Sequence, residues 1–389
     1  MSRRLDRCYN IARLRELAEK RLPGPMFHYI DGAAGDEWTM NRNTQAFDAY
    51  ELVPRCLMDV SKIDLSTTVF GQVIDWPVFC SPTAMNRLFQ HEGECAVARA
   101  AADVGTLYSL SSISTASIEE IAEVFKGPKL FQIYVFKDRG IDREFIQRCK
   151  NAGYAALALT VDVPIAGNRE RDLDTGMTVP PRLTLMSLLD IALHPYWVWN
   201  HLTKAPIELA NVRGRVDGSV TTLVQFFNDQ LDRSVTWDDA AWMIDEWGGP
   251  FAIKGILSAE DAKRAVEIGA SAVIISNHGG RQLDTAPAPI EVLKEVVDAV
   301  GDRCEVILEG GVRRGVHVMK ALALGAKACS LGRPYLFGLA AGGEAGAKKA
   351  LNILRTDLER DMMLVGCRNV SEIDMRVVRD VAVWPRTRR

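Results

Sequence analysis

The chain has 389 residues, 48% of them hydrophobic and 25% charged. That is globular composition, which excludes disordered and fibrous classes, and a chain of this length can fold as one large α/β barrel. The net charge of -3 gives no electrostatic reason to expect nucleic acid as a partner.

The basic start, MSRRLDRCYN, lacks the apolar run of about 7–15 residues that a secretory signal needs. No stretch reaches the ~18 continuous apolar residues of a membrane span. A cytoplasmic protein is expected. The eight cysteines are scattered, with no C-x-x-C pair, and read as buried thiols in a reducing compartment. The six histidines are dispersed and no H-E-x-x-H occurs, so no metal site is expected.

Helical patterns over 14–45 predict an N-terminal helical cap. Short apolar, β-branched runs then recur at 78–81, 106–110, 130–135, 157–161, 251–254, 272–276, 305–308 and 328–331. Each reads as a buried parallel strand. Between them lie helical patterns such as EGECAVARAAADVG, SAEDAKRAVEIGA and RGVHVMKALALGA, three of which end near Gly105, Gly269 and Gly325. Eight such alternations predict a (β/α)8 barrel, with a doubly wound sheet as the alternative. Roughly 95 residues separate the starts of the fourth and fifth strands, too many for a plain βα unit, so an insertion follows strand four. The expected organisation is a single domain over 1–389. Residues 1–75 form the cap, 76–171 and 237–389 the barrel, and 172–236 a lid insertion.

Barrels of this kind carry their sites at the C-terminal ends of the strands. Those ends supply Pro82, Thr83 and Ala84, then Ser111, Gln132, Tyr134, Thr160, Asp162, Lys254 and Ser276. Strands seven and eight add Glu309, Gly310, Gly311, Arg313, Gly332 and Arg333. Barrels often bind a phosphate after these last two strands, through loop N–H groups, and the two arginines suit such an anion. Neither G-x-x-x-x-G-K-[ST] nor G-x-G-x-x-G is present, which disfavours a nucleoside triphosphate or a dinucleotide. The most pointed motif is SNHGGRQLD at 276–284: a base, His278, and a carboxylate-binding fork, Arg281, flank two glycines that let backbone approach a flat ligand.

SNHGGRQLD closely resembles the signature of the FMN-dependent L-2-hydroxy acid dehydrogenase/oxidase family. The resemblance runs almost end to end: FHYIDGAAGDE at 27–37, SPTAMN at 81–86, FQIYV at 131–135, LTVDVP at 159–164, IKGI at 253–256, EGGVRRG at 309–315 and LGRP at 331–334. HPYWVWN and WGGPFAIKG look most like bacterial L-lactate dehydrogenases, and NRERDL more like mandelate dehydrogenases. The resemblance implies oxidation of a small L-2-hydroxy acid, L-lactate first and an L-mandelate type second, with electrons leaving FMN for a quinone or O2. It makes His278 the base and Asp162 its partner. Tyr29, Tyr134, Arg169 and Arg281 would bind substrate. Pro82, Thr83, Ala84, Ser111, Gln132, Tyr134, Thr160, Lys254, Ser276, Glu309, Gly310, Gly311, Arg313, Gly332 and Arg333 would hold FMN. His278 takes either the hydroxyl proton, as hydride leaves, or the Cα proton, giving a carbanion; both routes stay open. A homotetramer is implied as well.

Two positions depart from the family. Glu309 stands where Asp is usual, and Ile113 where some plant oxidases carry Trp. The segment 183–202, LTLMSLLDIALHPYWVWNHL, is rich in Leu, Trp and Tyr but is interrupted by Asp190, His194 and Pro195. It reads as an interfacial segment on the inner face of the membrane, or else as a lid packed on its own barrel or a neighbouring subunit. Two rivals to the oxidoreductase are a flavin-dependent isomerase of the type 2 isopentenyl diphosphate class and a non-catalytic flavin-binding protein.

Overall fold

The computed structural model describes residues 2–177, 184–213 and 230–381. Parts of the expected lid (178–183 and 214–229) and the C-terminal stretch WPRTRR at 384–389 lie outside the described residues.

Eight parallel strands close into a barrel: β1 (Val78–Cys80), β2 (Tyr108–Ser111), β3 (Lys129–Ile133), β4 (Ala156–Thr160), β5 (Phe251–Ile256), β6 (Ala272–Ile275), β7 (Glu305–Glu309) and β8 (Ala328–Leu331). Sequential strands are neighbours, with Leu110 opposite Phe131 and Thr160 opposite Lys254, and β8 pairs back onto β1. Gly105, Gly269 and Gly325 take φ of +65°, +92° and +101° at helix ends, where a side chain would be strained. Local chemistry sets several helix starts. Ser117 and Glu120 form a reciprocal cap, and Ser258 Oγ accepts the Asp261 amide at 3.1 Å.

Strand residues alternate between two packing environments. Phe79, Leu107, Leu130, Ala158, Ala252, Ile274 and Ile307 fill the barrel interior together with Val69, Phe70 and Ile74. Those last three belong to a hairpin, Thr67–Val69 with Gln72–Ile74, which packs into this inner cluster. The other face of the strands buries Leu110, Phe131, Leu157, Ile253 and Leu308 in the cluster shared with the helices.

The N-terminal segment is helical through Ile11–Glu19, Gly24–Asp31 and Trp38–Gln45. Beyond it, Tyr50–Leu52 pairs antiparallel with Val378–Asp380, joining the two ends of the described chain. Helix Ile11–Glu19 buries Ile11, Leu14 and Leu17 and packs on the long helix Arg333–Val365, which breaks at Gly342–Gly343. Asp31, at the end of the second helix, takes Arg15 on both oxygens (2.6 and 2.7 Å) and Arg171 at 3.0 Å. Arg171 also bonds Glu37, so the start of the insertion is tied to the cap.

Candidate active site

The C-terminal strand ends enclose a cavity of about 280 Å³. It gathers Tyr29, Pro82, Thr83, Ala84, Ser111, Tyr134, Arg169, Lys254, His278, Arg281, Glu309, Gly310, Gly311, Arg313, Gly332 and Arg333. Four expected residues stand just behind this wall. Gln132 accepts from Ser111 Oγ at 2.9 Å, Ser276 bonds Lys254 and Glu309, and Asp162 backs His278. Thr160 lines an adjoining cavity that shares Tyr134, Val163 and Leu231 with the first.

His278 has φ of +56°, an uncommon conformation for a side-chain-bearing residue and one that a packed site must hold in place. Its amide donates to Ser276 Oγ at 2.9 Å, and the Asn277 and Asn43 side chains donate to each other's Oδ1 in two hydrogen bonds of 2.7 and 2.8 Å. Gly280 fits only because it has no Cβ, which would lie 2.6 Å from the Met40 amide nitrogen. The ring nitrogen Nδ1 of His278 lies 3.0 Å from Asp162 Oδ1, which leaves Nε2 as the proton-accepting atom. Burial works against the Asp162 carboxylate, but the His278 ring and the Lys254 ammonium outweigh it and hold it below the ordinary range.

Two guanidinium groups flank the Tyr29 ring, Arg281 at 5.0 Å and Arg169 at 5.7 Å from its centroid. Arg281 donates to the Tyr29 and Gly32 carbonyls. Burial, reinforced by the like charge of Arg169, pushes Arg281 down to about 9. Among the described residues, Asp172 sets a carboxylate 3.5 Å from Arg169 Nε, and burial raises its pKa. Two guanidinium groups outnumber this carboxylate, and a bound carboxylate relieves the excess positive charge. Burial also raises the Tyr134 phenol, which stays protonated and able to donate. Apolar side chains close the rest of the cavity, among them Ile113, Val163, Met177 and Leu231.

The opposite end is a cationic cradle. Burial pushes both Arg313 and Arg333 down to about 10. Arg333 spends three nitrogens on the carbonyls of Ile30, Gly279 and Gly32, at 2.8–2.9 Å, so it also braces the cap against the His278 loop. Arg313 makes a bond to its neighbour's carbonyl, Val312 O, at 2.8 Å. Gly311 takes φ of +73°, and a Cβ there would lie 1.8 Å from the Asn43 carbonyl oxygen. Near the C-terminal ends of β3 and β4, the buried Gln132 Nε2 and Thr160 Oγ1 have no hydrogen-bond partner among the described residues. Buried polar atoms are rarely left so, and these two await a ligand's polar edge. Cationic glycine-rich loops at one end and unmet donors at the other suit a long ligand with a phosphate tail and a hydrogen-bonding ring, as in FMN.

Sequence reasoning passed over three residues. Gln282 donates to the carbonyls of Asp162 and Ile165, at 3.0 and 2.8 Å, and so fixes the segment that bears Asp162. It lies inside the recognised nonapeptide, which was the available signal. Asp172 sat within NRERDL. Ser330, which donates to Glu309 Oε2 at 2.9 Å, had no signal.

The model of the FMN-dependent dehydrogenase family matches residues 18–380. Glycolate oxidase of Spinacia oleracea is 43% identical over 364 residues, 94% of each chain. A crystal structure of the monotopic membrane protein (S)-mandelate dehydrogenase superposes with a TM-score of 0.92 at 37% identity, covering 96% of this chain and 99% of the other. A putative lactate oxidase of Pediococcus acidilactici gives a TM-score of 0.82 at 32% identity, covering 95% and 94%. Built on the barrel these relatives share, with His278, the guanidinium pair and the Arg313–Arg333 loops at one mouth, the chain belongs to the FMN-dependent dehydrogenase family and oxidises 2-hydroxy acids.

Proposed function

We propose that the protein oxidises L-lactate to the 2-oxo acid, with His278 as the base, and works at a membrane surface. The observation that carries the site assignment is His278 backed by Asp162 at 3.0 Å, in one cavity with the anion-poor pair Arg169 and Arg281. FMN supplies the acceptor for two electrons at its flavin ring. Arg281 and Arg169 hold the substrate carboxylate, and Tyr29 and Tyr134 orient it by hydrogen bonds. This clamp fixes Cα and lowers the entropic barrier. His278 accepts the proton the substrate gives up, and Asp162 stabilises the imidazolium. Ile113, Val163, Met177 and Leu231 surround the side-chain end, which suits a methyl group.

For the cofactor, Arg313 and Arg333, with the amides of Gly310, Gly311 and Gly332, would hold the phosphate. Gln132, Thr160, Ser111 and Lys254 would bond the flavin ring, Pro82, Thr83 and Ala84 would pack beside it, and Ser276 and Glu309 support Lys254. Family membership leaves no place for the isomerase or for a non-catalytic flavin carrier. An L-mandelate-type substrate is the second reading, favoured by the TM-score of 0.92 to (S)-mandelate dehydrogenase. Anaerobic stopped-flow bleaching by a panel of L-2-hydroxy acids, then reoxidation by a quinone or O2, tests substrate and acceptor. Faster reduction by L-mandelate than by L-lactate overturns the first reading.

The membrane contact rests on helices Leu185–Ala192 and Pro195–Leu202. Their polar groups hold them to the barrel and the cap: Trp197 Nε1 donates to Leu88 O at 2.8 Å, and Asp190 accepts the Gly24 amide at 2.5 Å. Their outward face exposes Leu185, Met186, Leu188, Leu189, Leu193, Tyr196, Trp199 and Leu202. No helix among the described residues is long and apolar enough to cross a membrane, so the contact is interfacial. Liposome flotation compares the wild type with Leu189→Glu/Trp199→Glu and with a deletion of 183–202. Equal flotation of all three refutes it. A shift from tetramer to monomer in the variants, without flotation of the wild type, assigns the face to a homotetramer interface instead.

A further inference from the structure

Glu309, at the end of β7, reaches across the barrel rather than along its own loop. Its Oε1 lies 2.6 Å from Lys254 Nζ on β5 and accepts Ser276 Oγ at 2.8 Å. Its Oε2 accepts Ser330 Oγ from β8 at 2.9 Å, and that hydroxyl is in turn 2.7 Å from Ser81 Oγ. Both carboxylate oxygens are thus satisfied by protein groups alone, in contrast to Gln132 Nε2 and Thr160 Oγ1. The Lys254 ammonium is 3% exposed and the Glu309 carboxylate 12%, so water screens the pair little. The other carboxylate that acts on the Lys254 charge, Asp162, is committed to His278 at 3.0 Å.

A buried cation beside a flavin stabilises the negative charge the ring gains on reduction. A carboxylate in contact with that cation offsets its field. We propose that Glu309 is a positioning residue that sets the driving force of the reaction by neutralising part of the Lys254 charge, which makes the bound flavin harder to reduce. The proposal rests on the reading that Lys254 faces the flavin ring.

The test is the two-electron reduction potential of the FMN-loaded protein, measured against a reference dye without substrate. Glu309→Gln frees the lysine charge and raises the reduced-to-oxidised ratio at a given potential at least tenfold, about 30 mV. Glu309→Asp draws the charge back by one methylene and shifts the ratio the same way by less; it carries the test if the glutamine variant does not retain FMN. Lys254→Met lowers the ratio by tenfold or more. If Lys254→Met shifts the ratio while both Glu309 variants stay within twofold of the wild type or fall below it, the proposal is overturned and the placement of Lys254 stands. If Lys254→Met leaves the ratio unchanged, the placement of Lys254 beside the flavin fails and the proposal fails with it.

Discussion

Replacing Asp162 by Asn tests the catalytic reading most directly, because it removes one charge and little volume. The His278 ring forms an imidazolium as it takes the proton, and Asp162 Oδ1 lies 3.0 Å from its Nδ1. At that distance two unit charges attract by about 5–6 kcal/mol at an effective dielectric constant of about 20. An asparagine oxygen in the same place keeps part of this through its dipole, so about 3 kcal/mol is lost from the transition state. That corresponds to a roughly 150-fold slower flavin reduction. Gln282, which donates to the Asp162 backbone carbonyl at 3.0 Å, holds the loop in either variant, so geometry is preserved. Rapid mixing of FMN-loaded protein with saturating L-lactate under anaerobic conditions measures the rate. Reduction of Asp162→Asn within threefold of the wild type refutes an electrostatic role for this carboxylate.

Three further outcomes follow from the same geometry. His278→Gln retains FMN, since the cavity keeps its phosphate cradle, but slows flavin reduction by about 10²–10⁴, measured in the same assay. Gly311→Ala drives a Cβ to 1.8 Å from the Asn43 carbonyl and strains a φ of +73°; it costs about 3 kcal/mol in urea unfolding and abolishes FMN retention on gel filtration. Asp31 is buried, and although burial opposes its charge, Arg15 and Arg171 hold its pKa below the usual value. A depressed folded pKa stabilises the fold above the unfolded value of about 3.9 and loses that stabilisation as the pH falls through the folded one. Asp31→Asn is thus destabilised by about 1–3 kcal/mol at pH 7, with Arg15 partly exposed and screened, and its deficit narrows below about pH 4, as followed by urea unfolding across pH.

Much of the architecture is written locally. Strand runs such as FQIYV and helix ends such as Gly105, Gly269 and Gly325 depend on neighbours a few residues away, and the β/α alternation that follows from them allows few closed solutions. The nonapeptide at 276–284 carried the base, the fork and the two glycines together, because one loop supplies all four. Even Gln282 was within reach, inside that motif.

Contacts between distant elements depend on barrel closure and register, which no local pattern encodes. The sequence placed Glu309 at a strand end, but only the closed barrel brings it to Lys254 on β5, Ser330 on β8 and Ser276 just past β6. Asp31 meets Arg171 across 140 residues because the cap folds over the start of the insertion. Leu185–Ala192 and Pro195–Leu202 announced their apolar residues in the sequence, whereas docking of their polar groups on the barrel and the cap decided that those residues face outward. Composition and periodicity determine which elements form. Where their charges meet is settled by long-range packing, since a buried ion pair needs both partners delivered to within about 3 Å by separate parts of the chain.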